Sequence, residues 1–424
     1  MLDEALGSAW TFLVSLSPYA LLSIFWFTAL LEIPRYFLSF VATIVVLSLR
    51  RRRPLSKVPP LKVSIVIAGH NEAGSIDRCV SSLREQTLTA FEIICVDDGS
   101  TDGTFNAMRR LERQGRVQRT VRCQLRGGKP AAVNLAARLA TGDILVVIDA
   151  DCSFERTAIE ELVRPFAEPG VVAVSGNILI RNWQKSVITS LQAIEYLISI
   201  SLGKTTSDVF NQVTCVSGAF GAFRKAAWER AGGLDPISGE DFDLTMRLRI
   251  AGGRVIFARR AVCYTDAPET LMGLAHQRNR WERDAFWIRF RKFRRTLTPS
   301  SDGISWQETI HQLDFFVFNV ACAMLFPFYV LGLFLQFGEF AFIVLLAAGL
   351  GLYLLDGLSF ALAAWITGKA QYWKLAPFLL LYGPFQSYVM RFIRLWAYVD
   401  EWIFSKSRED NYIPAKVRAW SIWR

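Results

Sequence analysis

The 424-residue chain has only three histidines, His70, His276 and His311, too few and too far apart for a histidine-rich metal centre. Its seven cysteines, at positions 79, 95, 123, 152, 215, 263 and 322, include no C-x-x-C pair. An odd, scattered set argues against a disulfide framework and for free thiols in a reducing compartment. Zinc-finger spacing, a helix-turn-helix pattern and RNA-binding signatures are also missing. The net charge of +10 therefore implies no nucleic-acid partner. No basic leader precedes the first apolar run and no small-residue cleavage site follows it, so a cleaved signal peptide is not expected.

What is present is unevenly distributed. The stretch from about Pro54 to Arg295 reads as a soluble α/β protein, whereas both ends are dense in Leu, Phe, Val and Ala. Basic clusters (Arg50 to Arg53, and Arg289, Arg291, Lys292, Arg294 and Arg295) adjoin the apolar segments. The positive-inside rule then places the middle in the cytoplasm of a membrane-embedded protein, with a bacterial plasma membrane as the expected setting.

A single helix over residues 10–49 would be about 60 Å long, twice the hydrocarbon core. Glu32, Pro34 and Arg35 divide that stretch, so two spans are expected, about 10–31 and 34–49, with one tilted helix as the alternative. Three more apolar stretches cover about 313–336, 340–366 and 373–398. The last carries Arg391 and Arg394 and reads as a span or as a re-entrant or interfacial segment. Asp314 and Asp356, in or beside these runs, are either functional acids or helix-end residues. The expected organisation is a membrane region over 1–53, a cytoplasmic domain over 54–268, interface helices over 269–307 and a second membrane region over 308–424.

Within the middle, buried-strand patterns occur at 63–67, 91–96, 143–148 and 171–174, separated by helical stretches. This alternation predicts a mostly parallel sheet with helices on both faces. Ligands bind such sheets at the carboxyl ends of the strands. Polar clusters follow the strands directly: Ala68-Gly69-His70-Asn71-Glu72, then Asp97-Asp98-Gly99-Ser100-Thr101-Asp102, then Asp149-Ala150-Asp151. Further along come Ser217-Gly218-Ala219, Gly239-Glu240-Asp241 and Gln277-Arg278-Asn279-Arg280-Trp281. One Asp-rich turn is usually only a turn. Six clusters in this order are a specific signal.

Over about residues 60–285 these clusters resemble the processive membrane glycosyltransferases of family 2, whose members make cellulose, chitin oligosaccharides, hyaluronan and poly-N-acetylglucosamine. The resemblance implies a GT-A-type nucleotide-sugar domain flanked by transmembrane helices. It also implies inverting transfer from a UDP-sugar, UDP-N-acetylglucosamine or UDP-glucose, to a growing β-linked glycan. Hard carboxylates of Asp149 and Asp151 beside a diphosphate suit Mg²⁺ or Mn²⁺, and in the family the second of the pair is the metal ligand. Asp97 and Asp98 match positions that contact the nucleoside; Asn71, Glu72 and Lys129 are further nucleotide-site candidates.

Asp241 is the candidate general base, because an acceptor hydroxyl must lose its proton as it attacks the anomeric carbon. Glu240 accompanies it. The family triplet begins with Thr where this chain has Gly239, which puts any role of that side chain in doubt. Ser217 and Gly218 resemble the segment that lines the acceptor end. Gln277, Arg280 and Trp281 match the Q-x-x-R-W motif, whose spacing puts all three on one helical face. Arg280 suits a pyrophosphate and Trp281 a sugar ring.

The expected partners are a UDP-sugar, a glycan acceptor, the lipid bilayer and small membrane or export subunits. Three rivals remain at the level of sequence: a transferase placing one sugar on a polyprenyl phosphate lipid, a transporter with a cytoplasmic domain, and an inactive scaffold.

Overall fold

Aliphatic and β-branched runs that alternate between two faces build the central sheet of the computed structural model, which describes residues 17–34, 60–298 and 305–409, with isolated residues outside those ranges (7, 11, 14, 15, 36, 41, 43–45, 414, 416 and 417). The strands are β1 (Val63–Gly69), β2 (Phe91–Asp98), β3 (Arg119–Cys123), β4 (Ile144–Asp149), β5 (Ser153–Phe154), β6 (Val171–Ile180), β7 (Phe220–Arg224) and β8 (Arg254–Thr265). They form one eight-stranded sheet in the order β3-β2-β1-β4-β7-β6-β8-β5. Side chains leave successive residues on opposite faces. Ile65, Ile67, Ile93, Val146 and Ile148 pack on helices Ile76–Arg84 and Thr104–Arg113. Val66, Ile94, Val96, Leu145 and Val147 pack on helices Lys129–Leu139 and Glu240–Ile250.

The expected sheet is present and is mixed in detail, with four of its seven strand pairings parallel and three antiparallel. Strands β3, β2, β1 and β4 are parallel. β7 runs antiparallel to both β4 and β6, and β5 antiparallel to β8, while β6 and β8 are parallel. The reversal of β7 has a direct consequence for the site. Phe220 pairs with Ile148, and the Asp149 amide donates to the Ala219 carbonyl at 3.3 Å. Ser217-Gly218-Ala219 thus lies at the carboxyl end of β4. A parallel β7 would carry that segment to the other edge of the sheet.

Among the described residues, two helices, Trp306–Phe337 and Phe340–Thr367, are long and apolar enough to cross a membrane. They match the first two expected C-terminal stretches. A shorter apolar helix covers Pro18–Glu32, in the first expected N-terminal span; most of the second lies outside the described residues. The third C-terminal stretch is not one regular helix. It starts as a 3₁₀ segment, Ala370–Phe378, and continues through Leu379–Pro384 and the π-helical Phe385–Met390 to Arg391–Phe404. Pro377 and Pro384 each remove a backbone donor there.

The charges inside the apolar regions find partners. Arg391 pairs with Glu32 and lies over the rings of Phe27 and Phe326. Asp356 is buried and accepts a hydrogen bond from the Tyr36 hydroxyl at 2.7 Å. The sheet shares one core with helix Phe340–Thr367 and the 3₁₀ segment after it, since Phe360, Ala363, Tyr372 and Leu375 belong to the same buried cluster as β1 and β4. The Tyr372 hydroxyl donates to the Ile180 carbonyl at 3.2 Å, fastening the 3₁₀ segment to β6.

Candidate active site

Strand ends and three helices enclose a cavity of about 680 Å³. From the sequence candidates it gathers Glu72, Asp98, Lys129, Asp149, Asp151, Ser217, Gly218, Glu240, Asp241, Gln277, Arg280 and Trp281. Asn71 and Asp97 do not line it. They shape the loops around it instead. Asn71 takes φ 59° and its side-chain oxygen accepts from the Thr101 amide at 3.0 Å. Asp97 is fully buried, accepts from the Ser100 amide at 3.2 Å and lies 3.5 Å from Arg122 Nε.

Asp98 holds the start of helix Lys129–Leu139. Its two carboxylate oxygens accept from the Gly127 amide at 2.7 Å and the Gly128 amide at 2.9 Å. Gly128 has φ 88°, a conformation open to glycine, and the turn delivers Lys129 into the cavity. The Lys129 ammonium pairs with Asp149 and donates to the Gly218 carbonyl at 3.3 Å. It thereby ties the end of β4 to the segment before β7.

Asp151 is held above the usual carboxylate range, first by burial, then by the like charges of Asp149 and Glu72. A divalent cation would relieve that repulsion, and hard carboxylate oxygens suit it. Among the described residues no group of three or more His, Cys, Asp or Glu forms a cage.

Asp241 and Glu240 open helix Glu240–Ile250 from opposite circumstances. The Asp241 carboxylate accepts from the Gly218 amide at 2.8 Å and from the Phe242 amide at 2.7 Å. A Cβ on residue 218 would lie 3.1 Å from Lys129 Nζ and 3.5 Å from Asp241 Oδ2, so glycine permits this close approach. Glu240 is buried, and its pKa is pushed up to about 8 by burial and then by the Asp241 carboxylate. Near neutral pH it keeps its proton and can donate.

Gly239 caps this helix with φ 76°. Its missing side chain is explained by packing. A Cβ there would meet Ile288 Cδ1 at 2.9 Å and Asp284 Cβ at 3.0 Å.

Helix Leu271–Trp287 supplies the opposite wall. Gln277, Arg280, Trp281, Asp284 and Ala285 all line the cavity, the stripe expected of one helical face. Trp281 is 40% exposed, with its ring under Arg278 at 4.4 Å. Arg278 is buried and paired with Glu195 at 2.8 Å, so the indole rests on a fixed cation. The other face of the helix is anchored by Glu282, which accepts from Tyr398 at 2.6 Å and Arg394 at 3.2 Å.

Several lining residues were not site candidates in the sequence reading: His70, Arg126, Tyr196, Lys204, Asp266 and Asp284. His70 lies inside a cluster that was read, and its Nδ1 donates to the Asp98 carbonyl at 2.8 Å. Tyr196 and Lys204 sit eight positions apart, with Ile200 between them, on a helical face that looks like an ordinary core face.

Residues 64–231 match the profile of the glycosyl transferase family 2 domain. The chain is similar to poly-beta-1,6-N-acetyl-D-glucosamine synthase of Staphylococcus aureus strain MSSA476, 30% identical over 254 residues, or 58% of this chain and 61% of that protein. It is similar also to the synthase of the same name from Staphylococcus epidermidis, 28% identical over 237 residues, 55% of this chain and 57% of that protein. The match thus spans about three fifths of these relatives' length. Among solved structures, the mannosyltransferase PcManGT of Pyrobaculum calidifontis in complex with GDP-Man and Mn2+ shares the fold, with TM-score 0.60, 22% identity and coverage of 86% of this chain and 96% of that one. Residues 64–231 thus match a family 2 glycosyl transferase domain, and the chain shares its fold with that mannosyltransferase.

Proposed function

We propose that the protein is a membrane-embedded, inverting glycosyltransferase. It transfers a sugar from UDP-N-acetylglucosamine or UDP-glucose to the end of a growing β-linked glycan on the cytoplasmic side. The observation that carries this reading is the meeting, in one cavity, of Asp149 and Asp151, the Asp241 carboxylate and the Gln277-Arg280-Trp281 face. The names of the staphylococcal relatives favour N-acetylglucosamine as the sugar.

The roles follow from the chemistry of each group. Asp98, Lys129 and Arg280 line the donor side, where cations oppose the charge of a pyrophosphate. Asn71 and Asp97 support that side through the loops they hold. Asp151, with Asp149, would hold Mg²⁺ or Mn²⁺, which as a Lewis acid stabilises charge on the leaving diphosphate. Asp241 takes the proton of the acceptor hydroxyl. Glu240, protonated near neutral pH, donates rather than accepts. Trp281 offers the acceptor a flat apolar face. Gly218 lets the Asp241 carboxylate and the Lys129 ammonium approach the same place. One base and no protein nucleophile fit inversion.

The metal role has a direct test. Chelation of divalent ions should abolish transfer in washed membranes, and Asp151→Asn should do nearly the same while retaining the wild-type unfolding midpoint. Full activity in EDTA would remove the metal from the reaction.

A further inference from the structure

Lys204 has no part in the roles assigned so far. It belongs to helix Gly203–Val209, directly after the π-helical Leu197–Leu202, and it lines the cavity while only 8% exposed. π-turns of this kind recur at functional sites. Its ammonium donates to Ser217 Oγ at 2.8 Å and Ser175 Oγ at 3.0 Å. Both partners are neutral hydroxyls. An ammonium has three donors, so one remains beyond these two. Desolvating a cation for two neutral partners is costly, and burial accordingly lowers its proton affinity. A residue that only bridged two serines would not need a charge.

Position separates Lys204 from the donor side. Lys129 is the cation on Asp149, whereas Lys204 holds Ser217. The next residue, Gly218, donates its amide to Asp241 at 2.8 Å. Asp241 also acts on Lys204 through its field. The hydroxyl that the cation holds, on Ser217, therefore lies one residue along the chain from the amide that binds the base. Tyr196 and Ile200 share its wall of the cavity, giving an apolar surface that ends in a donor. Such a surface suits a sugar ring, with its apolar face and its rim of oxygens.

We propose that Lys204 is an acceptor-site residue, which donates its remaining N–H to an oxygen of the terminal acceptor sugar beside the hydroxyl that Asp241 deprotonates. This assignment rests on the glycan-extending reading above.

The test uses the purified full-length chain in lipid nanodiscs with labelled UDP-N-acetylglucosamine, as wild type, Lys204→Met, Lys204→Arg and Ser175→Ala. Two rates are read: elongation of an added N-acetylglucosamine oligosaccharide, and UDP release without acceptor. Lys204→Met should slow elongation about ten- to a hundredfold at subsaturating oligosaccharide, the usual range for a lost charged hydrogen bond. UDP release should stay within about twofold of wild type, since the donor contacts are untouched. Lys204→Arg should recover part of the elongation by keeping a cation. Ser175→Ala removes one anchor and leaves the ammonium, so it should elongate nearly as wild type does.

Unchanged elongation in Lys204→Met would overturn the assignment. So would a parallel loss of elongation and UDP release, or an equal loss in Ser175→Ala, either of which makes the lysine a structural tie. Transfer of one sugar to added polyprenyl phosphate, without oligosaccharide elongation, would make it a lipid-phosphate residue instead. No UDP release by wild type from any UDP-sugar would remove the underlying reading, and this assignment with it.

Discussion

Two adjacent acids on one helical turn, Glu240 and Asp241, differ because their surroundings differ. Asp241 meets two backbone amides, whereas Glu240 meets burial and its neighbour's charge. A carboxyl group whose pKa is raised by folding favours the folded state in full below its unfolded value. That benefit is lost as pH rises through the folded value. For Glu240 the window therefore runs from about pH 4.5 to about 8. The wild-type unfolding midpoint should fall across this window, and Glu240→Gln, which cannot ionise, should fall less. Identical pH profiles for the two proteins would show that Glu240 carries no such strain. For Asp241 the relevant quantity is rate. Asp241→Asn should lower sugar transfer by about 10²-fold or more, the loss expected when a general base is removed. UDP affinity, measured by titration calorimetry, should change little. Transfer near the wild-type rate would take Asp241 out of the mechanism.

At the scale of elements, helix Leu271–Trp287 and helix Glu240–Ile250 close on each other at Gly239. The glycine has a left-handed φ, and Ile288 and Asp284 occupy the space a side chain would need. A threonine at this position should therefore harm the protein. Gly239→Thr combines an unfavourable φ for a β-branched residue with a clash, at a cost of about 1–3 kcal/mol. A lowered midpoint in thermal unfolding is expected; an unchanged or raised midpoint would mean the two helices can separate without penalty. The sequence disclosed the Gln277-Arg280-Trp281 face because its spacing is helical and its residue types are unusual together. It did not disclose β7 or β8. β7 is five residues long and contains Gly221, and β8 carries Arg259 and Arg260 where its register with β6 breaks. Neither reads as a continuous buried strand, so the reversal of β7 that brings Gly218 to Asp241 was hidden.

Across the whole molecule, local pattern was legible and long-range pairing was not. Strands β1, β2, β4 and β6 were all located from their aliphatic runs, and residues of the polar clusters after the first three do converge. Glu32 and Asp356 drew attention as acids in apolar stretches, but their partners, Arg391 and Tyr36, lie 359 and 320 positions away. No local pattern encodes such pairs. The shared core between the sheet and the apolar helices has the same character. It packs the sheet that carries the candidate site directly against helix Phe340–Thr367 and the segment after it. The central claim is that the protein extends a glycan rather than adding one sugar. The most direct measurement supplies the purified protein in nanodiscs with labelled UDP-N-acetylglucosamine and UDP-glucose, Mg²⁺ or Mn²⁺ and a short oligosaccharide, and sizes the product before linkage analysis. The account predicts a β-linked polymer many residues longer than the primer from one of the two donors; a product extended by a single sugar, or label found only on a polyprenyl phosphate, would contradict it.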